Sequence, residues 1–325
     1  MVSATASDKP KPNWAGDDWL SRLVNLLIQI KPLYWLMKQQ ARRVMIGTAE
    51  KSGIPWRDSY RELEQSGLDK TLPSIANPNI AYPDYYTVPF HAYDAGNLCW
   101  QAAFEAAPAT YAVALRVWPQ ESLTWQAAQA RLRGSFHEVL TTYGPQSVRD
   151  ILDMGCSVGI STRTLHHFYQ HRQKHPIRTV GLDLSPYMLA VAQELDQTGD
   201  IAQWVHANAE ATDFPDASFD LVTLQFITHE LPHYASQSIF KEASRILRPG
   251  GCLAIVDNNP KSPVIQGLPP ALFVLMKSTE PWSDDYYTFD MEAALQEAGL
   301  DYRVTVASDP RHRTLIAMKP SELNR

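Results

Sequence analysis

The sequence predicts an α/β fold: a seven-stranded, mostly parallel sheet with a C-terminal antiparallel strand pair, preceded by an N-terminal helical extension. After residue 145, short apolar runs alternate with helical stretches, which is typical of parallel strands joined by crossover helices. Before that point, apolar residues recur at helical spacing. Near the C-terminus, two strand-like runs are separated by a connection too short for a crossover, which indicates an antiparallel pair.

Residues 1–13 are rich in Ser, Ala, Lys and Pro, and we expect them to form a flexible tail that is not a signal peptide. Residues 14–145 are expected to form a helical extension or lid. A Pro- and Tyr-rich stretch over residues 71–94 interrupts this extension, because its prolines exclude a long helix. No apolar run approaches the length needed to span a membrane.

The first two predicted helices are amphipathic and basic. Pro32 can open the second helix, which is predicted over residues 33–49. Four basic residues lie along this region: Lys31, Lys38, Arg42 and Arg43. Such a helix can lie on an anionic membrane surface, but an apolar stripe more often packs against its own protein. Packing on the core is therefore the default expectation, and peripheral membrane contact is the alternative.

Residues 146–325 are expected to form the α/β domain. The predicted parallel strands cover residues 148–154, 179–184, 202–207, 221–225 and 252–257. A helix over residues 291–297 precedes the predicted antiparallel pair at residues 302–307 and 313–318.

Composition and charge favour a small-molecule partner. Of 325 residues, 45% are hydrophobic and 20% charged, and the net charge is −6 at pH 7. Neutralising phosphates requires a surplus of Lys and Arg, so no nucleic-acid partner is expected. The three cysteines show no metal-ligand spacing, so we expect no metal site, and a reduced, cytoplasmic compartment is the simplest interpretation.

The strongest motif is a glycine-containing turn after the first strand. Residues 151–161 have the sequence ILDMGCSVGIS, in which Gly155 and Gly159 allow the backbone to approach a ligand. Asp153, at the carboxyl end of the strand, can contact an ammonium group, which a pyrophosphate-binding loop does not need. This favours S-adenosylmethionine over NAD, whose sites also have a third glycine. A purely structural turn is the alternative.

Polar residues also follow the next two strands. Asp183 is placed to accept both hydroxyls of a ribose, and Ser185-Pro186 can cap and open the next helix. After the third strand, Asn208 can hydrogen-bond an adenine edge while Ala209 and other apolar neighbours enclose the ring. An Asn-stabilised turn explains that segment equally well. The order of the three motifs favours a nucleoside-type cofactor.

With these motifs, the chain resembles the class I S-adenosylmethionine-dependent methyltransferases over residues 149–320, in the style of the branch that contains ubiquinone and menaquinone methyltransferases. The segment EASRILRPGGCLAIVD at residues 242–257 is similar to the family's segment before the fifth strand. Residues 89–98 of the extension are similar to methyltransferase-like proteins of cyanobacteria and plastids. The resemblance implies a Rossmann-like sheet and the cofactor S-adenosyl-L-methionine.

The resemblance also implies a role for each matching residue. The implied cofactor-binding residues are Asp153, Gly155, Cys156 and Gly159 for the methionine part, Asp183 with its neighbour Leu184 for the ribose, Asn208 and Ala209 for the adenine, and Gln225, which would close the pocket. Two positions depart from the family's pattern: Ser157 stands where a second glycine is usual, and Asn208 where Asp is common. A serine there requires a tolerable backbone angle or a slightly displaced loop.

Methyl transfer from a sulfonium ion is an in-line displacement with an activated leaving group, so alignment in a dry pocket is the main requirement. A general base helps when the acceptor is a hydroxyl or a carbon acid. His229 and Glu230, just beyond the fourth strand, are the candidates. The alternative is that His229 caps the next helix and Glu230 is solvated.

The segment at residues 268–289 is apolar and aromatic, and it lies where this family builds acceptor pockets. Together with Tyr85, Tyr86, His91 and Tyr93 it can enclose a planar or lipophilic acceptor. We therefore expect methyl transfer to carbon or oxygen of a small, apolar or aromatic, quinol-like acceptor. A protein methyltransferase and a non-catalytic S-adenosylmethionine-binding protein are the alternatives.

Overall fold

The computed structural model describes residues 19–91, 93–269, 276 and 278–321, so the predicted flexible tail at residues 1–13 lies outside the described part. The predicted N-terminal helices are confirmed. In chain order they are α1 (Trp19–Gln29), α2 (Lys31–Lys51), α3 (Trp56–Gln65), α4 (Leu72–Ile75), α5 (Trp100–Leu115) and α6 (Trp125–Tyr143).

Local sequence explains where these helices begin. Pro32 lies in the first turn of α2, where a backbone N–H would have no helical partner. The side chain of Thr124 accepts a hydrogen bond from the backbone N–H of Ala127 and so caps α6. The loop over residues 71–94 holds α4 and a 3₁₀ turn at Asp84–Tyr86, in keeping with its prolines.

The remaining chain forms the predicted seven-stranded, mostly parallel sheet. Its strands are β1 (Asp150–Met154), β2 (Arg178–Asp183), β3 (Gln203–His206), β4 (Phe219–Gln225), β5 (Leu247–Asn258), β6 (Asp301–Val306) and β7 (His312–Met318). They lie in the order β3-β2-β1-β4-β5-β7-β6. The first five are parallel, and β7 is antiparallel to both β5 and β6. The predicted fold class is therefore confirmed.

β5 begins earlier than the prediction at residue 252. Leu247 pairs with Phe219 of β4, and after an irregularity the regular ladder resumes where Leu221 pairs with Cys252. The intervening Pro249-Gly250-Gly251 has no apolar alternation, so periodicity alone could not include it in a strand.

Helices cover both faces of the sheet. They are α7 (Ile160–Arg172), α8 (Pro186–Leu195), α9 (His233–Ile246), α10 (Pro263–Gln266), α11 (Ser283–Thr288) and α12 (Met291–Glu297). α9 and α12 bury Phe240 and Leu295 against one face. α6 and α7 bury Phe136 and Leu165 against the other. Because strands buried on both faces need apolar residues at nearly every position, the parallel strands appear in the sequence as short continuous apolar runs.

The fold places the predicted site residues at one edge of the sheet. The connection from β1 runs to β2 on one side, while β4 pairs with β1 on the other, so the strand order reverses at this point. Ligands of open α/β sheets bind outside the carboxyl ends of the strands at such a reversal. Helix α5 packs against α8 through Phe104 and Met188, which brings the extension next to this edge.

Candidate functional site

A cavity of about 800 Å³ lies at the carboxyl ends of β1, β2 and β4, bounded on its other side by α2 and α5. Its volume falls within the range of roughly 300–1,000 Å³ that is usual for small-molecule and cofactor sites. The cavity is lined by every predicted site residue except Gly159: Asp153, Gly155, Cys156, Asp183, Leu184, Asn208, Ala209, Gln225, His229 and Glu230. The topology therefore brings together motifs that are far apart in the sequence.

The turn after β1 has the backbone that the glycines predict. Gly155 and Gly159 have φ of 72° and 75°, in the left-handed region that favours glycine. A Cβ atom at Gly155 would collide with the side chain of Ile227, and one at Gly159 with the ring of Trp204. Gly159 is the residue before α7, so it shapes the start of that helix and is not itself in the cavity lining.

Ser157, at the position where the family usually has glycine, also adopts a left-handed backbone, with φ of 49°. Its backbone N–H donates to Oδ2 of Asp183 at 2.7 Å. A left-handed conformation costs a residue with a side chain about 1–2 kcal/mol, and the bond to a buried carboxylate offsets part of that cost. The loop is thus held in the conformation that a glycine would adopt freely.

Asp153 is buried and already has three donors. The hydroxyls of Thr162 and Thr223 each lie 2.6 Å from its carboxylate, and the Gln225 Nε2 atom lies at 3.2 Å. Burial raises the pKa of Asp153, and these three hydrogen bonds oppose that rise. The Oε1 atom of Gln225 is buried with no hydrogen-bond partner among the described residues. An acceptor without a donor beside a buried carboxylate fits an ammonium group that reaches the cavity.

Asp183 joins two turns at the end of β2. Its Oδ2 atom accepts from Ser157, and its Oδ1 atom accepts from the backbone N–H of Ser185 at 2.8 Å. Since each carboxylate oxygen has two lone pairs, two further donors can be accepted, as a pair of ribose hydroxyls requires. Burial raises the pKa of this carboxyl to about 6. Leu184 follows it and supplies apolar lining.

The segment that begins at Asn208, after β3, forms an Asn-stabilised turn, which is the alternative to adenine contact. Oδ1 of Asn208 accepts from the backbone N–H of Glu210 at 2.9 Å, and the Asn208 carbonyl accepts from Ala211. Asn208 and Ala209 nevertheless both line the cavity, with Ala209 buried. Adenine contact by these two residues stays a prediction, in which the Asn208 side-chain nitrogen is the donor. Cys156 adds a buried thiol whose pKa is raised by burial, so it is uncharged lining.

His229 pairs with Asp257, a buried aspartate that is not among the predicted site residues. Its Nδ1 atom lies 2.7 Å from Oδ1 of Asp257, and its backbone N–H donates to Oδ2 at 3.0 Å. Asp257 also accepts from the hydroxyl of Thr228 and the backbone N–H of Asn258. The signal was present, because Asp257 ends a predicted strand at the same sheet edge as Asp153.

The pKa of His229 is the net result of opposing effects. Burial lowers it, but the Asp257 carboxylate, with Glu230 and Glu280 farther away, outweighs burial and raises the pKa to about 10. Burial raises the pKa of Glu230 to about 8, against the opposing influence of His229. In this arrangement the imidazole holds a proton at neutral pH, so it can act as a base only after losing that proton.

The loop of the extension and the segment after β5 meet over this pair. The backbone N–H of His91 donates to the carbonyl of Thr279 at 2.9 Å. The His91 Nε2 atom lies 3.8 Å from Glu280 and 3.9 Å from Glu230. Partial desolvation at the cavity wall lowers the pKa of His91, whose side chain is 39% exposed, so its imidazole is neutral at neutral pH. Glu230 is thus inside the cavity, where the side-chain amide of Asn97 lies 3.4 Å from it, and not in open solvent.

The predicted aromatic enclosure is observed in part. Tyr85, Tyr86, His91 and Tyr93 all line the cavity. From the segment at residues 268–289, Met276, Thr279 and Glu280 line it, while Tyr286 and Tyr287 are buried in the core of the sheet. Trp282 stands behind the lining, where its indole N–H donates to the carbonyl of Tyr85. Phe273 lies outside the described residues.

Within the described ranges, no three His, Cys, Asp or Glu side chains are grouped so that they could hold a metal ion.

Residues 152–255 match the family described as "Methyltransferase domain". The chain is 34% identical over 110 residues to 2-methyl-6-phytyl-1,4-hydroquinone methyltransferase of Synechocystis sp., covering 34% of this chain and 32% of that protein. It is 40% identical over 81 residues to demethylmenaquinone methyltransferase of Listeria welshimeri, covering 24% of this chain and 34% of that protein. The chain thus spans about a third of the length of each relative.

A solved structure of a SAM-dependent methyltransferase from Aquifex aeolicus is also similar, with a TM-score of 0.45 and 19% identity. The similarity covers 58% of this chain and 93% of that one. The matched family segment contains Asp153, Asp183, Asn208 and His229, whereas α1 to α6 lie outside it.

Proposed function

We propose that this chain, which carries a class I S-adenosylmethionine-dependent methyltransferase domain at residues 152–255, methylates a carbon or oxygen atom of a small, apolar, quinol-like acceptor. The observation that carries the proposal is the convergence of the cofactor motifs, the His229–Asp257 pair and an aromatic lining on one cavity. Such convergence in one cavity is what in-line transfer between two small molecules requires.

The described residues fit the cofactor. The Asp153 carboxylate and the unpartnered Gln225 oxygen would hold the ammonium of the methionine part. Asp183 would hold the ribose, and Asn208 with Ala209 would hold the adenine. When bound, S-adenosylmethionine supplies an electrophilic methyl group on a sulfonium sulfur.

His229 is proposed to accept the proton that the acceptor loses. With Nδ1 bonded to Asp257, the Nε2 atom is the ring nitrogen that an acceptor hydroxyl can reach. A cation bound in the same cavity lowers the pKa of His229 from about 10 by charge repulsion. That shift favours the neutral imidazole, which is the form able to take a proton. Asp257 is a positioning residue in this scheme, because it touches His229 and not the acceptor.

The lining supports an acceptor with one polar end and an apolar body. Met37, Ala41 and Met45 of α2 supply apolar lining, whereas His91 and Glu230 lie beside His229. A hydroquinone has hydroxyls on a planar ring that can meet the polar group, and an apolar tail that can lie along α2. The two relatives are named for hydroquinone and demethylmenaquinone substrates, which belong to the same chemical class.

A protein acceptor is the second candidate, and the structure favours it less. A protein methyltransferase needs an open groove for a peptide, whereas helices α2 and α5 and the loop that carries His91 bound this cavity. A non-catalytic binding protein would have no use for the His229–Asp257 pair, in which Asp257 is buried and His229 lines the cavity.

Two measurements test the proposal in sequence. Calorimetric titration with S-adenosylhomocysteine, with NADH as control ligand, should show micromolar binding of the first alone. The purified protein is then incubated with S-adenosylmethionine and either a prenylated hydroquinone or a mixture of peptides, and products are analysed by mass spectrometry. We expect one added methyl group on the hydroquinone. Methylation of peptides alone would overturn the acceptor assignment, and absence of S-adenosylhomocysteine binding would overturn the cofactor assignment.

A further inference from the structure

The hairpin formed by α1 and α2 exposes a large apolar surface. Its exposed apolar side chains, each between 41% and 58% accessible, are Leu20, Leu23, Leu26, Ile30, Trp35, Leu36 and Val44. Leu20, Leu23 and Leu26 of α1, with Ile30 just after its end, recur at helical spacing and so lie on one side of that helix. In α2, Ile46 and Ala49 are the residues buried in the core. The default expectation that these stripes pack on the protein is therefore wrong for α1, whereas Met37 and Met45 of the α2 stripe are half-buried and line the cavity.

The same hairpin is cationic. Between Trp19 and Ala49 the chain has five basic residues and no carboxylate, although its overall net charge is −6. Lys38 pairs with Asp94 at 3.2 Å and Arg42 pairs with Glu105, both toward the protein. The basic residues exposed on the hairpin are Arg22, Lys31 and Arg43. The two helices therefore expose both apolar and cationic side chains, which is the composition of helices that lie in an anionic lipid interface.

This surface is continuous with the mouth of the cavity. Gln40, Val44 and Thr48 of α2 are exposed and also line the cavity, and so does Val113 of α5. Residues that belong to both surfaces mark the opening, which therefore lies between α2 and α5. Val44 is at once part of the exposed apolar surface and of the cavity lining.

We infer that the α1–α2 hairpin docks on an anionic membrane and that the cavity takes its lipophilic acceptor directly from the bilayer through the mouth between α2 and α5. The docking follows from the exposed apolar and basic residues, and the delivery of an acceptor rests on the proposed function. None of the helices in the described ranges is long and apolar enough to cross a membrane. A second copy of the chain is a poorer occupant, because two cationic hairpins repel each other.

Vesicle flotation tests the docking separately from catalysis. The full chain is mixed with vesicles of phosphatidylcholine alone or of phosphatidylcholine with phosphatidylglycerol, at low and high salt. We expect binding to the anionic vesicles that falls at high salt, because screening weakens attraction to the lipid headgroups. In the double variant Leu26→Glu/Trp35→Glu, partitioning onto the anionic vesicles should fall at least tenfold. In Lys31→Gln/Arg43→Gln, partitioning should fall chiefly at low salt.

Tyr143→Glu is the matched control, since Tyr143 is an exposed apolar side chain on α6, away from the hairpin. It should bind vesicles as the wild type does. All variants should bind S-adenosylhomocysteine like the wild type, because neither Leu26 nor Trp35 lines the cavity. Retained flotation of Leu26→Glu/Trp35→Glu would overturn the inference. A dimer of the wild type in light scattering that becomes a monomer in this variant would also overturn the inference, because the surface would then be a contact between copies.

Delivery of the acceptor from the bilayer is tested separately, by measurement of methylation activity. With the acceptor embedded in anionic vesicles, methylation by Leu26→Glu/Trp35→Glu should fall about as much as its partitioning. With a short-chain, water-soluble acceptor it should equal the wild type. An equal loss of methylation activity on both acceptors would contradict delivery from the bilayer. If the wild type methylated neither acceptor, the proposed function would be contradicted, and the flotation result would still stand.

Discussion

The backbone N–H of Ser157 donates to the Asp183 carboxylate at 2.7 Å, and this bond ties the turn after β1 to the end of β2. The Asp183 carboxylate therefore fixes a left-handed residue in the cofactor loop and also lines the cavity. Two of the three cofactor motifs are thus coupled, so a change at either residue should be felt at both.

Asp183→Ala should weaken binding of S-adenosylhomocysteine by at least tenfold, which corresponds to about 1.4 kcal/mol. The variant removes the acceptor for the ribose hydroxyls and leaves the N–H groups of Ser157 and Ser185 without their partner. Calorimetry gives the affinity. Asp301→Ala, at the exposed start of β6, is the control and should bind normally. Unchanged affinity in Asp183→Ala would mean that the ribose lies elsewhere.

Cofactor affinity should also depend on pH through Asp183. Burial raises its pKa to about 6, so the carboxylate is ionised and accepts hydrogen bonds above that pH. As the pH falls through about 6, the carboxyl gains a proton and loses acceptor capacity, and affinity should decrease. This pH dependence of the affinity is measured by calorimetric titration with S-adenosylhomocysteine at several values between about pH 5 and pH 8. Asp183→Asn, which cannot ionise, should show weaker binding and a flatter profile.

Substitutions at Ser157 test the backbone argument. Glycine adopts φ near 49° without strain, so Ser157→Gly should keep cofactor affinity and leave the melting temperature unchanged or higher. Valine is β-branched and disfavoured there, so Ser157→Val should reduce the free energy of unfolding by about 2 kcal/mol. Thermal unfolding compares the two. If both variants were equally stable, the backbone at this position would not be the constraint.

Much of the fold followed from the sequence because parallel strands buried on both faces leave short, continuous apolar runs. Residues 152–255, which contain the motifs at Asp153, Asp183 and Asn208, match the methyltransferase family. Each of these polar residues follows a strand, so topology alone brings them to one edge.

Features that depend on tertiary packing could not be predicted from the sequence. Apolar spacing in α1 predicted a core-facing helix, but the same pattern suits a helix that faces an apolar medium outside the protein. Asp257 is not among the predicted site residues because it ends a predicted strand. Its role depends on the contact with His229, which the sequence does not show. The contact of His91 with Thr279 joins residues far apart in the chain, which periodicity cannot detect.

The final prediction separates the roles of His229 and Asp257. His229→Gln should lower kcat by about 10²-fold or more, a typical contribution of general acid–base catalysis, while S-adenosylhomocysteine affinity stays within twofold or so of the wild type. Asp257→Asn keeps a hydrogen-bonding side chain but removes the negative charge, which raises the pKa of His229 in the wild type. The pKa of His229 should therefore fall in this variant.

Because catalysis needs the neutral imidazole, activity should rise with pH through the pKa of His229, and in Asp257→Asn this rise should occur at lower pH. Measurement of kcat across the pH range with a hydroquinone acceptor tests both variants. Glu297→Gln, at the end of α12 and outside the cavity lining, is the control and should keep the wild-type profile. A lower kcat in Asp257→Asn with no displacement of the profile would indicate that Asp257 supports the local fold and does not set the protonation of His229, because a merely structural loss reduces the rate equally at every pH.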